Sequence, residues 1–162
     1  MILLDKGRIE RTVKRMTYQI LEEARGKSIL LAGLNIRGFA LAEMISSCLE
    51  EASGKKPKLF SFDTHDEQAK SPIKDQHPNS ILFIVDDVIF SGQTMFRALK
   101  KLTKHSQLNT VSVVVLVDRG HRTVPVLAGI VGADIPTKLD EHVELRLVKE
   151  KPHEVILTEK PN

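Results

Sequence analysis

Tryptophan is absent from the 162 residues, and tyrosine occurs once beside six phenylalanines. So few rings leave little with which to stack unpaired bases. Cysteine also occurs once, at Cys48. That excludes an internal disulfide and suits a reducing cytoplasm. Cys48 stands among Ala42, Met44, Ile45 and Leu49, so it is expected to be a small buried hydrophobe rather than a nucleophile. No apolar run approaches the ~20 residues needed to span a bilayer. The first six residues, Met-Ile-Leu-Leu-Asp-Lys, lack the basic region and long apolar core of a signal peptide. Low-complexity segments, runs of like charge, internal repeats and linkers are missing too. Residues 1–162 are therefore expected to form one soluble α/β domain with a substantial core. The net charge of +3 suits phosphate-bearing partners and equally suits an ordinary solvated surface.

What is present alternates between two periodicities. Ile9, Val13, Met16 and Ile20 recur at helical spacing between Lys6 and Ala24, and Gly26 stops that helix. Residues 28–34 are a near-continuous apolar run, the pattern of a strand covered on both sides. A polar turn at 35–38, a helix over about 39–50, a break at 54–57 and a strand at 58–62 follow. Residues 63–80 carry two prolines and no periodicity, which marks a loop. A strand at 81–85 leads into a helix over 95–104, and a valine-rich strand covers 110–117. A turn or single helical turn is expected at 125–128, then a segment over 129–135 ending on Pro136. Val143, Leu145 and Leu147 alternate with Glu144 and Arg146, as in a half-exposed strand, with 155–158 as its pairing partner. The order implies a twisted, mainly parallel sheet with helices on both faces. Such folds bind ligands at the carboxyl ends of their strands. Three polar clusters fall there: 35–38, 86–94 and 118–122.

The middle cluster carries the most chemistry. Gly92 permits positive φ and close backbone approach, while Ser91 and Thr94 offer hydroxyls. With Gln93 they form a loop opening a helix, a setting that cradles a monophosphate. The lysine of a nucleotide P-loop is missing. Asp86 and Asp87 are acceptors suited to a sugar diol; a metal site or a helix-capping cluster is the other reading of the pair. Adjacent strand residues face opposite ways, so both can reach one sugar only if the chain leaves the strand from Val88 onward.

The run Val85-Asp86-Asp87-Val88-Ile89-Phe90-Ser91-Gly92-Gln93-Thr94 resembles the phosphoribosyl pyrophosphate signature of type I phosphoribosyltransferases. Leu116-Val117-Asp118-Arg119-Gly120-His121-Arg122, then Pro125, Val131-Gly132 and Ile135-Pro136-Thr137, are most similar to the pyrimidine operon regulator and uracil phosphoribosyltransferase branch. The resemblance spans about residues 9–140. It implies transfer of the phosphoribosyl group to a nucleobase, uracil above others, in pyrimidine salvage. It implies that Asp86 and Asp87 are catalytic and bind ribose beside Val88, and that 91–94 bind the 5′-phosphate. Arg37 and Gly38 would take pyrophosphate, and Val131, Gly132 and Ile135 the base. Magnesium would arrive mainly on the substrate, with no dedicated protein metal site. A cytoplasmic homodimer or larger oligomer is implied, without membrane attachment.

Three departures stand out. Asn35 replaces the branch's usual lysine, Ser91 replaces a commoner threonine, and the 63–80 loop is short, with Lys70 and Lys74 to supply charge. Two alternatives stay open beside the enzyme. One is a nucleotide-sensing RNA-binding regulator that uses Lys14, Arg15, His121 and Arg122, with Lys149 a further contact; the other is a sugar-phosphate-binding relative without turnover. In the functional reading, Arg119, His121 and Arg122 lie at the active-site mouth or on a nucleic-acid surface; otherwise 118–122 is a solvated turn with salt bridges. His65, His77 and His105 are expected at the surface.

Overall fold

The computed structural model describes residues 1–74, 77–104, 108 and 110–159; His105 lies outside them. Helix α1 (Lys6–Ala24) begins where Asp5 accepts a hydrogen bond from the Arg8 N–H at 2.8 Å, an N-cap that satisfies one orphan donor. Its inward stripe is Ile9, Val13, Met16, Thr17, Ile20 and Ala24. The chain reverses through Arg25 and Gly26, both at positive φ, and enters β2 (Ser28–Leu34). Ahead of α1 lies a three-residue strand, β1 (Ile2–Leu4), which periodicity does not reveal.

Five strands form a parallel sheet in the order β3-β2-β4-β5-β6. They are β3 (Lys58–Phe62), β4 (Ser80–Ile89), β5 (Val111–Asp118) and β6 (Ile130–Asp134), together with β2. Helices α1 and α2 (Asn35–Ser53) cover one face with Ile9, Val13, Leu41 and Ile45. Helix α3 (Gln93–Thr103) covers the other through Met95, Ala98 and Leu102. A second sheet, order β1-β8-β7, is antiparallel and built from β7 (Glu141–Val148) and β8 (Lys151–Glu159). Its Leu4, Val143, Leu145 and Val155 extend the α1–α2 side of the core. The alternation at 143–147 thus does mark a strand with one buried face.

Two boundaries differ from expectation. Residues 35–38 are the first turn of α2 rather than a loop before it. Asn35 opens that turn at φ +57, a left-handed conformation that Asn tolerates and hydropathy cannot show. Strand β4 continues through both aspartates to Ile89, pairing Asp86 with Val115 and Val88 with Val117. Residues 125–128 form no helical turn. No helix among the described residues is long and apolar enough to cross a membrane.

Candidate active site

The site lies where β2, β3, β4 and β5 end, beneath the antiparallel sheet. A cleft of about 1180 Å³ opens there. Arg37, Asp86, Asp87, Val88, Thr94 and Arg119 line it on the core side, and residues 142–147 line it from β7.

Strand β4 reaches the cleft without ending, and still presents both carboxylates. Val85 and Val88 pack in the same layer, against α1 and α2. Strict alternation would put residues three apart on opposite faces. The alternation therefore slips across Asp86-Asp87 while the ladder persists. This removes the need for the chain to leave the strand. The Asp86 carboxylate accepts from the Asp87 N–H at 2.9 Å. Burial first, and the neighbouring Asp87 charge second, hold the Asp86 carboxyl well above the usual carboxylate range. A buried acid beside a second, more exposed one can share a diol while resisting double ionisation.

Gly38 makes room for this pair. A Cβ there would lie 2.8 Å from the Val85 carbonyl and 3.1 Å from Asp86 Oδ1. The absent side chain lets the first turn of α2 rest on the end of β4.

Between β4 and α3 the chain turns at Gly92, φ +83, which is the N-cap of α3. Gly92 offers no capping side chain, the Ser91 hydroxyl accepts from the Gln93 N–H at 3.3 Å, and no acid occupies the first turn of α3. Its first N–H groups and the positive end of its dipole suit an anion. The loop is held from behind. The Thr123 N–H donates to the Ser91 carbonyl at 2.9 Å, and Gln93 Nε2 donates to Thr123 Oγ1 at 3.0 Å. Arg122 Nη1 donates to the Phe90 carbonyl at 2.9 Å and to Asp118 at 3.0 Å. Its Nη2 reaches Asp118 Oδ2 at 2.6 Å, and its Nε reaches the Val126 carbonyl at 3.0 Å. Arg122 is thus a half-buried pin under the loop, and the Gln93 side chain points to Thr123.

Arg119 is 5% exposed, its guanidinium 4.1 Å from the Phe90 ring centroid. It donates to Thr137 Oγ1, the Lys138 carbonyl and the Glu141 carbonyl. So the 118–122 cluster ties the end of β5 to the start of β7, a fixing role that a turn rich in cations does not advertise. His121 is exposed and its ring contacts the Thr137 carbonyl.

Arg37 borders the cleft with its Nε on the Leu145 carbonyl at 2.9 Å and its Nη2 on Glu144 at 2.7 Å. Sequence reasoning missed Glu144, which reads as an outward strand residue. Asn35 faces Thr64: its Nδ2 donates to Thr64 Oγ1, and its Oδ1 accepts from the Thr64 N–H, both at 2.9 Å.

Other expected residues lie elsewhere. Val131 and Gly132 sit within β6 and do not border the cleft. A Cβ on Gly132 would meet the Leu116 carbonyl at 2.5 Å and Thr12 at 2.9 Å, so this glycine serves close packing of α1 on the sheet. The carbonyls of both accept hydrogen bonds from Arg15, which is therefore not a free surface cation. Ile135 follows β6, and its N–H donates to the Asp118 carbonyl. Lys14 and Lys149 are exposed. Ile73 of the 63–80 loop is buried with Leu102 of α3. Lys101 holds the Asp66 and Glu67 carbonyls. Lys70 and Lys74 are exposed away from the cleft, and the loop reaches it through Asp63 and His65. Cys48 is half-buried against the core, and burial pushes its thiol pKa up. No group of three or more His, Cys, Asp or Glu among the described residues is placed to hold a metal ion.

The phosphoribosyl transferase domain family matches residues 2–144. The bifunctional protein PyrR of Leuconostoc citreum is 34% identical over 164 residues, covering 91% of each chain. Its counterpart in Clostridium novyi is 33% identical over 157 residues, covering 89% of this chain and 88% of that one. Among solved structures, the hypoxanthine phosphoribosyltransferase of Trypanosoma cruzi superposes with a TM-score of 0.76 at 14% identity, covering 99% of this chain and 97% of that one. That of Staphylococcus aureus gives 0.69 at 19%, covering 87% and 79%. Fold, site order and sequence agree: the chain belongs to the phosphoribosyl transferase domain family.

Proposed function

We propose that the protein transfers the 5-phosphoribosyl group from phosphoribosyl pyrophosphate to uracil and releases pyrophosphate. The observation that carries this reading is the meeting, at one cleft, of the Asp86-Asp87 pair with the acid-free N-terminus of α3, which enters it through Thr94. Asp86 and Asp87 accept hydrogen bonds from the ribose hydroxyls. The 91–94 backbone takes the 5′-phosphate, with Ser91 and Thr94 adding hydroxyls. Arg37 exchanges Glu144 for the diphosphate, whose greater charge wins a half-exposed guanidinium. The base enters under β7, near the Arg119–Phe90 pair. Uracil nitrogen forms its bond to the anomeric carbon as the bond to pyrophosphate breaks; the departing diphosphate carries the electron pair, and the proton of the uracil N–H passes to solvent. The protein's share is positioning and charge stabilisation.

The paired carboxylates at an open cleft fit magnesium that arrives with the substrate and keeps several waters. When bound, magnesium neutralises diphosphate charge. The single half-buried cysteine fits a cytoplasmic setting, and the family resemblance favours a dimer or larger assembly.

Incubation with phosphoribosyl pyrophosphate, magnesium and a panel of bases tests the reading. Pyrophosphate release should be fastest with uracil. Binding of phosphoribosyl pyrophosphate without turnover on any base would instead favour a sugar-phosphate-binding role, for which Asn35, a neutral residue committed to Thr64, is the motivating observation. A regulatory RNA-binding role is the second reading. The exposed Lys14 and His121 and the word "bifunctional" in the relatives' names favour it. Titration with a matching leader RNA should then show affinity falling steeply with salt.

A further inference from the structure

The cleft is short of free positive charge. Arg37 is engaged by Glu144 and Leu145, and Arg119 by the 137–141 segment. Arg146 pairs with Glu154 at 3.3 Å, and His142 lies 4.0 Å from Glu144. Glu43, Asp63, Glu144 and Glu150 add carboxylates beyond the central pair. Among the described residues that line the cleft, His65 is the one basic side chain whose ring has no partner.

His65 is placed there by construction. Thr64, 6% exposed, is gripped at its N–H and its hydroxyl by Asn35, the first residue of α2. The His65 N–H donates to Asp63 Oδ1 at 2.9 Å, which closes a turn over the buried threonine. Asp63 and His65 then flank Thr64 on the cleft side. Asn35 and Arg37 both belong to the first turn of α2 and line this cleft, so the tether holds His65 at the end of the cleft that this turn borders.

We infer that His65 binds the diphosphate of the substrate, and that Asn35 is a positioning residue acting through Thr64. An imidazole N–H donates to a phosphate oxygen whether the ring is neutral or charged. The tether explains how a chain with a neutral residue at position 35 still provides a donor at that end. This inference rests on the phosphoribosyl pyrophosphate reading.

Calorimetric titration with magnesium pyrophosphate and, separately, with ribose 5-phosphate tests it on the whole chain. His65→Ala should weaken pyrophosphate about tenfold, the worth of a hydrogen bond to a charged group, and leave ribose 5-phosphate unchanged. His65→Gln, which keeps an N–H donor, should recover most of the loss. Asn35→Ala should weaken pyrophosphate similarly, and the double variant should be no worse than either single one. Wild-type pyrophosphate affinity in His65→Ala, with ribose 5-phosphate still bound, would overturn the inference alone. A wild-type chain that binds neither phosphoribosyl pyrophosphate nor ribose 5-phosphate would overturn the underlying reading with it.

Discussion

Gly92→Ala should cost stability and phosphate binding together, whereas Gly26→Ala should cost stability alone. Both glycines sit in the left-handed region, at φ +83 and φ +79. A side chain there costs about 1–2 kcal/mol. Around Gly26 an added Cβ meets nothing within 4 Å. At Gly92 it would lie 3.1 Å from Val124 Cγ2, 3.3 Å from Arg122 Cδ and 3.4 Å from Val126 Cβ. Arg122 is fixed by its bonds to Asp118, Phe90 and Val126, so the loop must give way instead. Crowding of this kind adds about 1 kcal/mol. At roughly 2–4 °C per kcal/mol for a chain of this size, Gly92→Ala should melt visibly lower than Gly26→Ala, and both below the parent. Ribose 5-phosphate titrated by calorimetry should bind Gly26→Ala like the parent and Gly92→Ala at least ~10-fold more weakly, the loss of about one charged hydrogen bond. If Gly92→Ala shows its melting loss but keeps parental affinity, the 91–94 loop is not the phosphate cradle.

Three further outcomes follow from contacts at and around the site. Asp86 has its pKa raised by burial and by Asp87, so its stabilising contribution is complete below the ordinary carboxyl pKa and is lost as pH rises through the raised value. Asp86→Asn should therefore gain stability over the parent towards neutral and alkaline pH while losing ribose binding; melting curves across that range check it, and an unchanged pH profile would contradict it. Arg122→Ala should cost about 2 kcal/mol, since it strands two carbonyls and a half-buried carboxylate, and it should weaken ribose 5-phosphate; denaturant titration and calorimetry read the two effects. Arg15→Ala should cost about 1 kcal/mol in the same denaturant titration although Arg15 is exposed, because the Val131 and Gly132 carbonyls lose their donor; no loss would return Arg15 to the set of free surface cations.

The parts of the fold legible in the sequence are those set by local periodicity. Helix α1 and strands β2 and β3 fall where the apolar spacing puts them, because each buries a face that the pattern itself displays. Strand β1 escapes because three residues carry no period, and its partner β8 lies some 150 residues away. The reach of β4 past Asp86-Asp87 escapes because two carboxylates imitate a strand end. The slip in alternation between Val85 and Val88 is a matter of packing between layers. Arg15, Arg119 and Arg122 read as surface cations or site-mouth residues because their partners are mainly backbone carbonyls, to which any sequence is blind. Glu144 and Thr64 gain their importance only when β7 and the end of β3 close on the N-terminus of α2.

If the Asp86-Asp87 end of β4 holds the ribose of phosphoribosyl pyrophosphate, as proposed, removing one carboxylate charge weakens that substrate without unfolding the chain. Calorimetric titration of magnesium phosphoribosyl pyrophosphate into the parent and into Asp87→Asn, with melting curves beside it, tests this most directly. The parent should bind, and the variant should lose about tenfold or more in affinity with a melting temperature close to the parent's. Equal affinity in a folded Asp87→Asn variant would contradict ribose binding at this strand end.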